Sequence, residues 1–228
     1  MTIVNSLYFD SPLHPRLFDE YLRHLPLPEV IRIKRFHRWE DAHAGLFSYY
    51  LLLRGLRNYH IALKPDEFKR NHYGRPFIDG EVDFNISHSM NIVVCVLSDE
   101  TTVGVDVEAI RDIDLSTIQQ YFKNEWEEIK RSPNALRTFY FHWTRKEAVI
   151  KADGRGFGLP IQNLVTSNDT CIVDRQTYYL KTLDIQNVNY MAHMAFAKDI
   201  DSPTYYHLTI DQLLDTKPLH NDIYLAGD

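Results

Sequence analysis

Two acidic residues, Asp106 and Glu108, lie two positions apart in the segment VGVDVE (103–108). Alternate side chains of a β-strand share a face, so both carboxylates would lie together while Val105 and Val107 face the other way. Neighbouring carboxylates repel each other unless water or a cation screens them. A hard divalent cation such as Mg²⁺, which prefers oxygen ligands, would supply that screening. A solvated strand end explains the same pattern without a metal, and this motif alone leaves both interpretations open.

A second charged group lies in HWTRKEAVIKADG (142–154), which has the composition of a helix. Glu147 precedes Lys151 by four residues, the favourable orientation for an exposed ion pair worth about 0.3–0.5 kcal/mol. The apolar residues around this pair favour partial burial instead, where an unpaired charge is costly. In that case Glu147 would be a third carboxylate for a metal site, and Lys151 would be available to a phosphate.

Donors suited to phosphate oxygens occur in two nearby segments, Arg75 in GRP (74–76) and Ser87 with His88 in FNISHS (84–89). A histidine after a strand is also a common structural residue. SHS lacks the pattern of a hydrolase nucleophile. The absence of GxGxxG and GxxxxGK[ST] disfavours Rossmann and P-loop nucleotide sites. These residues therefore fit phosphate binding of another kind.

The spacing of apolar residues predicts the elements that must position these groups. It predicts a long helix from Glu29 to Asn58, and helices over 115–131 and 135–152. Extended segments surround them, with antiparallel hairpins expected among the first three: VDFNIS, NIVVCVLS, TVGVDVEAI, TCIVD, TYYLKTLDI, NYMAHMAFAK and YYHLTI. Because helix-then-sheet occurs twice, we expect an α+β protein with two similar lobes, residues 1–102 and 103–228, and a ligand site between them.

Composition narrows the class of protein. With 228 residues and 44% hydrophobic content the chain can bury a substantial core. The 25 Lys and Arg against 31 Asp and Glu give a formal charge of −6, which argues against nucleic-acid binding. The first residues do not resemble a signal peptide and no apolar window is long enough to span a membrane, so a cytoplasmic protein is expected. Cys95 and Cys171, each in an apolar run, are predicted to be buried free thiols.

Four motifs occur in order along the chain: GRP (74–76), FNISHS (84–89), GVDVE (104–108) and W-x-x-K-E-A-x-x-K (143–151). Together they closely resemble the signature of the Sfp-like 4′-phosphopantetheinyl transferases. RFHRWEDAH (35–43) resembles the long first helix of that family, so the resemblance covers about residues 32–160. It implies the family's fold, a pseudo-dimer of two similar α+β lobes with the active site in the cleft between them.

The resemblance also implies an activity. Members of the family transfer the phosphopantetheine arm of coenzyme A to a serine of an apo acyl or peptidyl carrier protein, releasing adenosine 3′,5′-bisphosphate. We therefore expect a holo-[acyl-carrier-protein] synthase type enzyme, a cytoplasmic monomer that requires Mg²⁺. Its N-terminal lobe would bind coenzyme A and its C-terminal lobe would bind the metal. The nucleophile would belong to the partner, because phosphoryl transfer mainly requires positioning and charge neutralisation from the protein.

The family's functional residues map onto the motifs described above. By resemblance Asp106, Glu108 and Glu147 hold Mg²⁺, with Glu147 also a candidate base, directly or through water. Lys151 would balance charge on the phosphate under attack, and His88 completes the catalytic group. The residues expected to bind coenzyme A are Arg32, Lys34, Arg35, Arg75, Ser87, His88 and Lys151.

Two positions depart from the family's pattern. Met90 stands where the family usually has Gly after SHS, which would narrow the turn beside the diphosphate. Ala44 stands where relatives commonly have Arg, so the contact with the 3′-phosphate would fall to Arg32 or Lys34.

Two other functions use the same residues. A catalytically silent module would bind coenzyme A or a carrier without turnover, although the complete set of Asp106, Glu108, Glu147 and Lys151 argues against it. A metal-dependent phosphohydrolase would use water as nucleophile, but no dedicated phosphatase motif is present.

Overall fold

The computed structural model describes residues 1–123, 125–166 and 168–215, and the side chain of Phe157 is not described. Residues 216–228, which the sequence assigns to the second lobe, lie outside the described residues. Within the described parts, no helix combines the length and apolar character needed to cross a lipid bilayer.

The order of elements is mixed α and β throughout. The strands are β1 (Thr2–Tyr8), β2 (Lys69–Arg70), β3 (Pro76–Phe77), β4 (Asp83–Ser89), β5 (Ile92–Ser98), β6 (Val103–Ala109), β7 (Thr170–Val173), β8 (Gln176–Thr182), β9 (Tyr190–Phe196) and β10 (Thr204–Leu208). The helices are α1 (Pro15–Leu22), α2 (Leu27–Ile33), α3 (Trp39–Leu56), α4 (Trp126–Arg131), α5 (Ala135–Asp153) and α6 (Ile210–Leu214). This arrangement confirms the predicted α+β class.

Two four-stranded sheets, β10-β1-β5-β4 and β6-β9-β8-β7, form the framework. One apolar core lies between α3 and the first sheet, and another lies between α5 and the second sheet. A third core joins the two sheets directly: Val94 and Val96 of β5 share it with Val105 and Val107 of β6. Each sheet therefore carries a helix on one face and meets the other sheet with the opposite face.

The predicted helix over 29–58 is two helices in the structure. It breaks after Ile33, and Arg38 has an extended backbone with φ −91° and ψ 136° before α3 begins. The break lets the end of α2 pack against α3 at Gly45. A Cβ there would lie 2.9 Å from Ile33 Cγ1, so the missing side chain permits the crossing.

The helix predicted over 115–131 is also interrupted, and it includes residue 124, which is outside the described residues. Short 3₁₀ turns occupy Leu115–Thr117 and Gln119–Tyr121, and only Trp126–Arg131 is α-helical. Asp114 explains the first turn, because its side chain accepts a hydrogen bond from Ser116 N–H at 3.0 Å. Such local bonds compete with a regular helix.

Among the three strands predicted to be neighbours, one pairing is wrong. β4 and β5 form the expected antiparallel hairpin. β6 does not pair with β5; it is an edge strand of the second sheet, antiparallel to β9. The four later strand segments appear as β7 to β10, and both cysteines are buried and free, as predicted.

The last described strand returns to the first half of the chain. β10 pairs in parallel with β1 and extends the first sheet. The division into lobes at residues 102 and 103 stays a prediction, and the sheet of the first half contains one strand from beyond that position.

A buried polar contact joins α5 to β9. His193 is 1% exposed, and its Nδ1 lies 2.7 Å from Thr144 Oγ1 while its Nε2 lies 3.0 Å from Thr182 Oγ1. Since the Thr144 hydroxyl donates to the Tyr140 carbonyl, it accepts from Nδ1–H of a neutral imidazole. Burial, with the charges of Arg145 and His142, lowers the pKa of His193 to about 3.

We expect this histidine to make the protein less stable as pH falls below its unfolded pKa of 6.5. Between there and about pH 3 the unfolded chain binds a proton that native His193 does not. The free energy of unfolding should therefore fall by about 1.4 kcal/mol per pH unit from this group. The free energy of unfolding, measured with urea between pH 6 and pH 4.5, should change less steeply with pH in His193→Gln than in the wild type. The matched variant His37→Gln, at an exposed position, should keep the wild-type slope; equal slopes in all three proteins would contradict the assignment.

Candidate active site

A ladder of hydrogen bonds fastens β4 to β6 and thereby positions the candidate site. Four alternate side chains of β4 each accept a backbone N–H of β6. The pairs, acceptor first, are Asp83 and Val103 at 2.8 Å, Asn85 and Val105 at 3.0 Å, Ser87 and Val107 at 3.3 Å, and Ser89 and Ala109 at 3.1 Å. The β6 edge is thus satisfied by side chains in place of another strand, and SHS is brought beside DVE.

Ser87, Asp106 and Lys151 meet in a three-way contact at this ladder. Lys151 Nζ donates to Ser87 Oγ at 2.8 Å and to Asp106 Oδ1 at 2.6 Å. Ser87 Oγ donates to the same carboxylate oxygen at 3.1 Å. The hydroxyl therefore uses its donor and both of its acceptor positions. The third N–H of Lys151 has no acceptor among the described residues, so it can meet an incoming anion.

Glu108 and Glu147 lie close to this group. Ser89 Oγ donates to Glu108 Oε2 at 2.7 Å, which fixes that carboxylate near the strand. Burial and the neighbouring charge of Asp106 raise the pKa of Glu108 above its ordinary value. Burial, reinforced by the charges of Asp106 and Glu108, raises the pKa of Glu147 to about 7, and Lys151 only partly offsets this. Three carboxylates thus feel one another's charge.

The donor set fits a hard cation, although its present geometry is not that of a ligand cluster. Among the described residues, no three His, Cys, Asp or Glu side chains are arranged so that they could hold a metal ion. Oδ1 of Asp106 is bonded to Lys151, but Oδ2 is buried and has no hydrogen-bond partner in the part of the chain that the structure describes. A buried carboxylate oxygen lacking a partner is costly, and a cation bound there would satisfy it. The assignment of Asp106, Glu108 and Glu147 to a metal stays a prediction.

Arg75 lies in the same region, and its hydrogen bonds join β4, β6 and α5. Its Nη2 donates to Asp83 Oδ2 at 2.8 Å and to the Val103 carbonyl at 2.9 Å, and its Nε donates to the Lys151 carbonyl at 3.1 Å. The side chain is 15% exposed. It also lines a cavity of about 210 Å³ with Lys151. Its predicted contact with coenzyme A stays open, while its structural role is evident.

The basic residues predicted near the first helices separate in the structure. Arg32 and His88 line one cavity of about 140 Å³, whereas Lys34 and Arg35 are exposed and do not line it. His88 is exposed to solvent as well as lining this cavity. The atoms crowded around it and the ammonium of Lys151 lower the pKa of His88, which favours the neutral imidazole.

The structure shows the surroundings of both departures from the family's pattern. Met90 has φ 51°, in the left-handed region that glycine adopts most easily, so this position favours Gly. Its Sδ lies 3.7 Å from guanidinium nitrogens of Arg38 and Arg111. Ala44 is fully buried in the first core, so it offers no side chain to a phosphate.

A residue of the helix motif to which the sequence assigns no role, Lys146, is buried at 0% exposure with Glu125, also at 0%. Its Nζ lies 3.1 Å from Glu125 Oε1 and donates to the Leu164 carbonyl. Glu125 Oε1 in turn accepts the backbone N–H of Thr166 at 3.1 Å. Lys146 therefore anchors two loops behind α5, while Glu147 and Lys151 face the other side.

The ladder itself has a sequence signal that was overlooked. Polar residues recur at every second position in DFNISHS, namely Asp83, Asn85, Ser87 and Ser89, with Phe84 and Ile86 between them. That alternation is typical of a half-buried β-strand and shows which four side chains share its polar face, but it does not identify β6 as their partner.

Comparisons with known proteins agree with this geometry. A family model described as the 4′-phosphopantetheinyl transferase superfamily matches residues 102–198, which contain DVE and the α5 motif. The 4′-phosphopantetheinyl transferase ffp of Bacillus subtilis is 30% identical over 166 residues, 70% of this chain and 74% of that protein. The chain belongs to the 4′-phosphopantetheinyl transferase superfamily. The resemblance of the motifs is thereby confirmed.

Two further relatives of the same superfamily show how far the similarity extends. The 4′-phosphopantetheinyl transferase gsp of Aneurinibacillus migulanus is 37% identical over 145 residues, which cover 60% of this chain and 59% of that protein. The 4′-phosphopantetheinyl transferase Sfp of Bacillus subtilis strain 168 is 28% identical over 229 residues, covering 90% of this chain and 99% of that protein. The chain is therefore a phosphopantetheinyl transferase, and its two-sheet α+β architecture fits the pseudo-dimeric fold of the superfamily.

We expect Arg75→Met to destabilise the protein, because it removes the ion pair with Asp83 and the hydrogen bonds that Arg75 donates to the Val103 and Lys151 carbonyls. The free energy of unfolding should fall by about 2–3 kcal/mol. Arg137→Met is the control, because that exposed side chain donates one bond, to the Val188 carbonyl at 3.0 Å. Chemical denaturation followed by circular dichroism would measure both. Equal stability of the two variants would show that Arg75 does not fasten β4 to β6.

Proposed function

We propose that this transferase moves the phosphopantetheine arm of coenzyme A onto a serine of an apo acyl or peptidyl carrier protein and releases adenosine 3′,5′-bisphosphate. The contact of Lys151 with both Ser87 and Asp106 is the observation that carries the proposal. It joins the SHS strand, the DVE strand and the α5 motif, which lie far apart in the sequence. The Lys151 ammonium and the carboxylates thus lie around one point, which suits phosphoryl transfer because that reaction needs charge to be positioned and neutralised.

The Sfp type is favoured over the holo-[acyl-carrier-protein] synthase type that the sequence suggests. The relative named Sfp aligns with 90% of the chain, so the similarity is not confined to the segment that the family model matches. Two sheets within one chain also suit a protein that works as a monomer. The proposal includes this monomer and its location in the cytoplasm.

Mg²⁺ would be held by Asp106, Glu108 and Glu147. When bound, it supplies positive charge against the diphosphate oxygens and lowers the repulsion among the three carboxylates. The unpartnered Oδ2 of Asp106 and the mutual electrostatic effect of the three groups support this choice. Lys151 would retain its place beside Asp106 and direct its remaining N–H towards the phosphate under attack.

The protein's own residues would act on charge and on one proton. Glu147 lies beside Asp106 and Glu108, and its carboxylate can accept a proton at Oε. It would take the proton of the carrier's serine hydroxyl, directly or through water. His88, neutral because its pKa is lowered, would donate one N–H to a phosphate oxygen, and Ser87 would keep Lys151 oriented.

A direct assay separates the proposed transfer from the two other functions. The protein is incubated with coenzyme A, Mg²⁺ and an apo carrier, and the carrier is weighed by mass spectrometry. We expect the carrier to gain the mass of one phosphopantetheine, with one bisphosphate released per carrier. Release of bisphosphate without labelling would indicate a hydrolase. Binding of coenzyme A with neither product would indicate a silent module.

We expect Asp106→Asn and Glu147→Gln to lower transfer by about 100-fold or more, because each removes a carboxylate that would hold Mg²⁺ against the diphosphate. Glu127→Gln, at an exposed carboxylate of α4, is the matched control and should retain activity. Titration of Mg²⁺ by calorimetry should show weaker binding in the two site variants, which gives a readout independent of turnover. The metal assignment fails if both bind Mg²⁺ and turn over like the wild type.

A further inference from the structure

A buried carboxylate lies at the cavity that contains Arg32 and His88, and two arginines hold it. Glu29 is 7% exposed. Arg70 Nε donates to Glu29 Oε1 at 2.8 Å and Arg70 Nη2 donates to Oε2 at 3.0 Å, so the contact is bidentate. Arg32 Nε donates to Oε2 at 2.8 Å. The two guanidinium groups lower the pKa of Glu29 although burial opposes them, so it is ionised at neutral pH.

Arg70 is fixed from three directions. Its Nη1 donates to the Gly74 carbonyl at 2.8 Å, across the turn of the β2–β3 hairpin. Its guanidinium also lies 5.8 Å from the centre of the Phe68 ring. Three of its five N–H groups are used in these bonds and those to Glu29, and the other two have no acceptor among the described residues. The guanidinium group of Arg70 is therefore held in one orientation and has two N–H groups available to a ligand.

The exposed fractions of the three side chains show that the carboxylate is buried beneath the arginines, while the arginines are accessible to a ligand. Glu29 is almost wholly buried, whereas Arg32 is 38% and Arg70 36% exposed. All three line the cavity with His88. One carboxylate against two guanidinium groups leaves a net charge of +1, and guanidinium forks match phosphate oxygens in geometry. The cavity can therefore accept a phosphate group with its donors already oriented.

We propose that Arg70 contacts the 3′-phosphate of coenzyme A together with Arg32, and that Glu29 is the positioning residue that holds both arginines. This inference rests on the proposed function. Arg70 lies outside the four motifs that carry the resemblance to the family. Ala44 cannot supply a contact with the 3′-phosphate. Arg70 would thus be a specificity-determining residue that separates coenzyme A from its 3′-dephosphorylated form.

The position of the cavity favours the 3′-phosphate over the diphosphate. Lys151, Asp106 and Glu147, which would face the diphosphate, do not line it. His88 lines the cavity and also feels the charges of Lys151 and Arg32, so it lies between the two regions. A ligand with phosphates at two places could reach both.

The test compares kcat/KM for coenzyme A and for 3′-dephospho-coenzyme A with one apo carrier. The wild type should prefer coenzyme A. Arg70→Met should lower kcat/KM for coenzyme A by about tenfold, the worth of one charge-assisted hydrogen bond, and far less for the dephosphorylated substrate. Arg70→Lys, which keeps the charge without the fork, should be intermediate. An unchanged preference in Arg70→Met would overturn the proposal.

Lys69→Met is the matched control, because Lys69 precedes Arg70 on β2 and is paired with Asp79 instead of Glu29. It should keep the wild-type preference. Arg70 would be shown to have only a structural role if its loss lowered kcat/KM equally for both substrates and reduced the melting temperature. Should Arg70→Met not fold, the preference of Arg70→Lys decides, because an unaltered ratio there also overturns the contact.

Binding measurements distinguish failure of this inference from failure of the proposed function. Calorimetry should show that adenosine 3′,5′-bisphosphate binds more tightly than adenosine 5′-monophosphate, and that Arg70→Met removes most of this difference. If the wild type binds in this way without transferring phosphopantetheine, the proposed function fails and the phosphate site stands. If transfer occurs but neither the binding difference nor the substrate preference depends on Arg70, the phosphate site fails and the proposed function stands.

Discussion

The hydrogen bonds that the β6 backbone donates to β4 side chains hold the SHS strand beside the DVE strand. Two sheets that share only an apolar core could slide along each other, since dispersion contacts have little direction. Four bonds at a two-residue repeat select one register, from Asp83 at one end to Ser89 at the other. In that register Ser87 lies beside Asp106. The same hydroxyls that complete the seam also hold the carboxylates, so fold and site share one set of contacts.

Much of this site could be predicted because its residues have unusual chemistry for their positions. Asp106 and Glu108 share a strand face, and Glu147 and Lys151 share a helix face, whatever surrounds them. Arg75 illustrates what spacing does not reveal. Its bonds to the Val103 and Lys151 carbonyls depend on backbone groups distant in sequence, and carbonyls are present at every residue. Arg70 was missed for a related reason, because its partner Glu29 lies 41 residues away.

The boundaries of elements were less predictable, since tertiary packing overrides local pattern. Apolar residues recur at helical spacing through residues 29–58, yet the helix breaks between Ile33 and Arg38. This break lets the end of α2 pack against α3 at Gly45. The hairpin expected between β5 and β6 also fails. Gly104 of β6 approaches α5 so closely that a Cβ would lie 2.2 Å from the Ala148 carbonyl oxygen. β6 is therefore bound to the second half by its helix as much as by its sheet.

The return of β10 to the first sheet affects the order in which the chain can fold. Ser6 and His207, paired across β1 and β10, are 201 positions apart in sequence. During synthesis from the N-terminus, β1 must wait with one open edge until nearly all of the described chain has left the ribosome. An open edge can pair with other chains, and distant pairings form slowly. The sheet of the first half is then completed last, so a truncation that removes β10 would leave β1 with an open edge while the β6-β9-β8-β7 sheet kept all its strands.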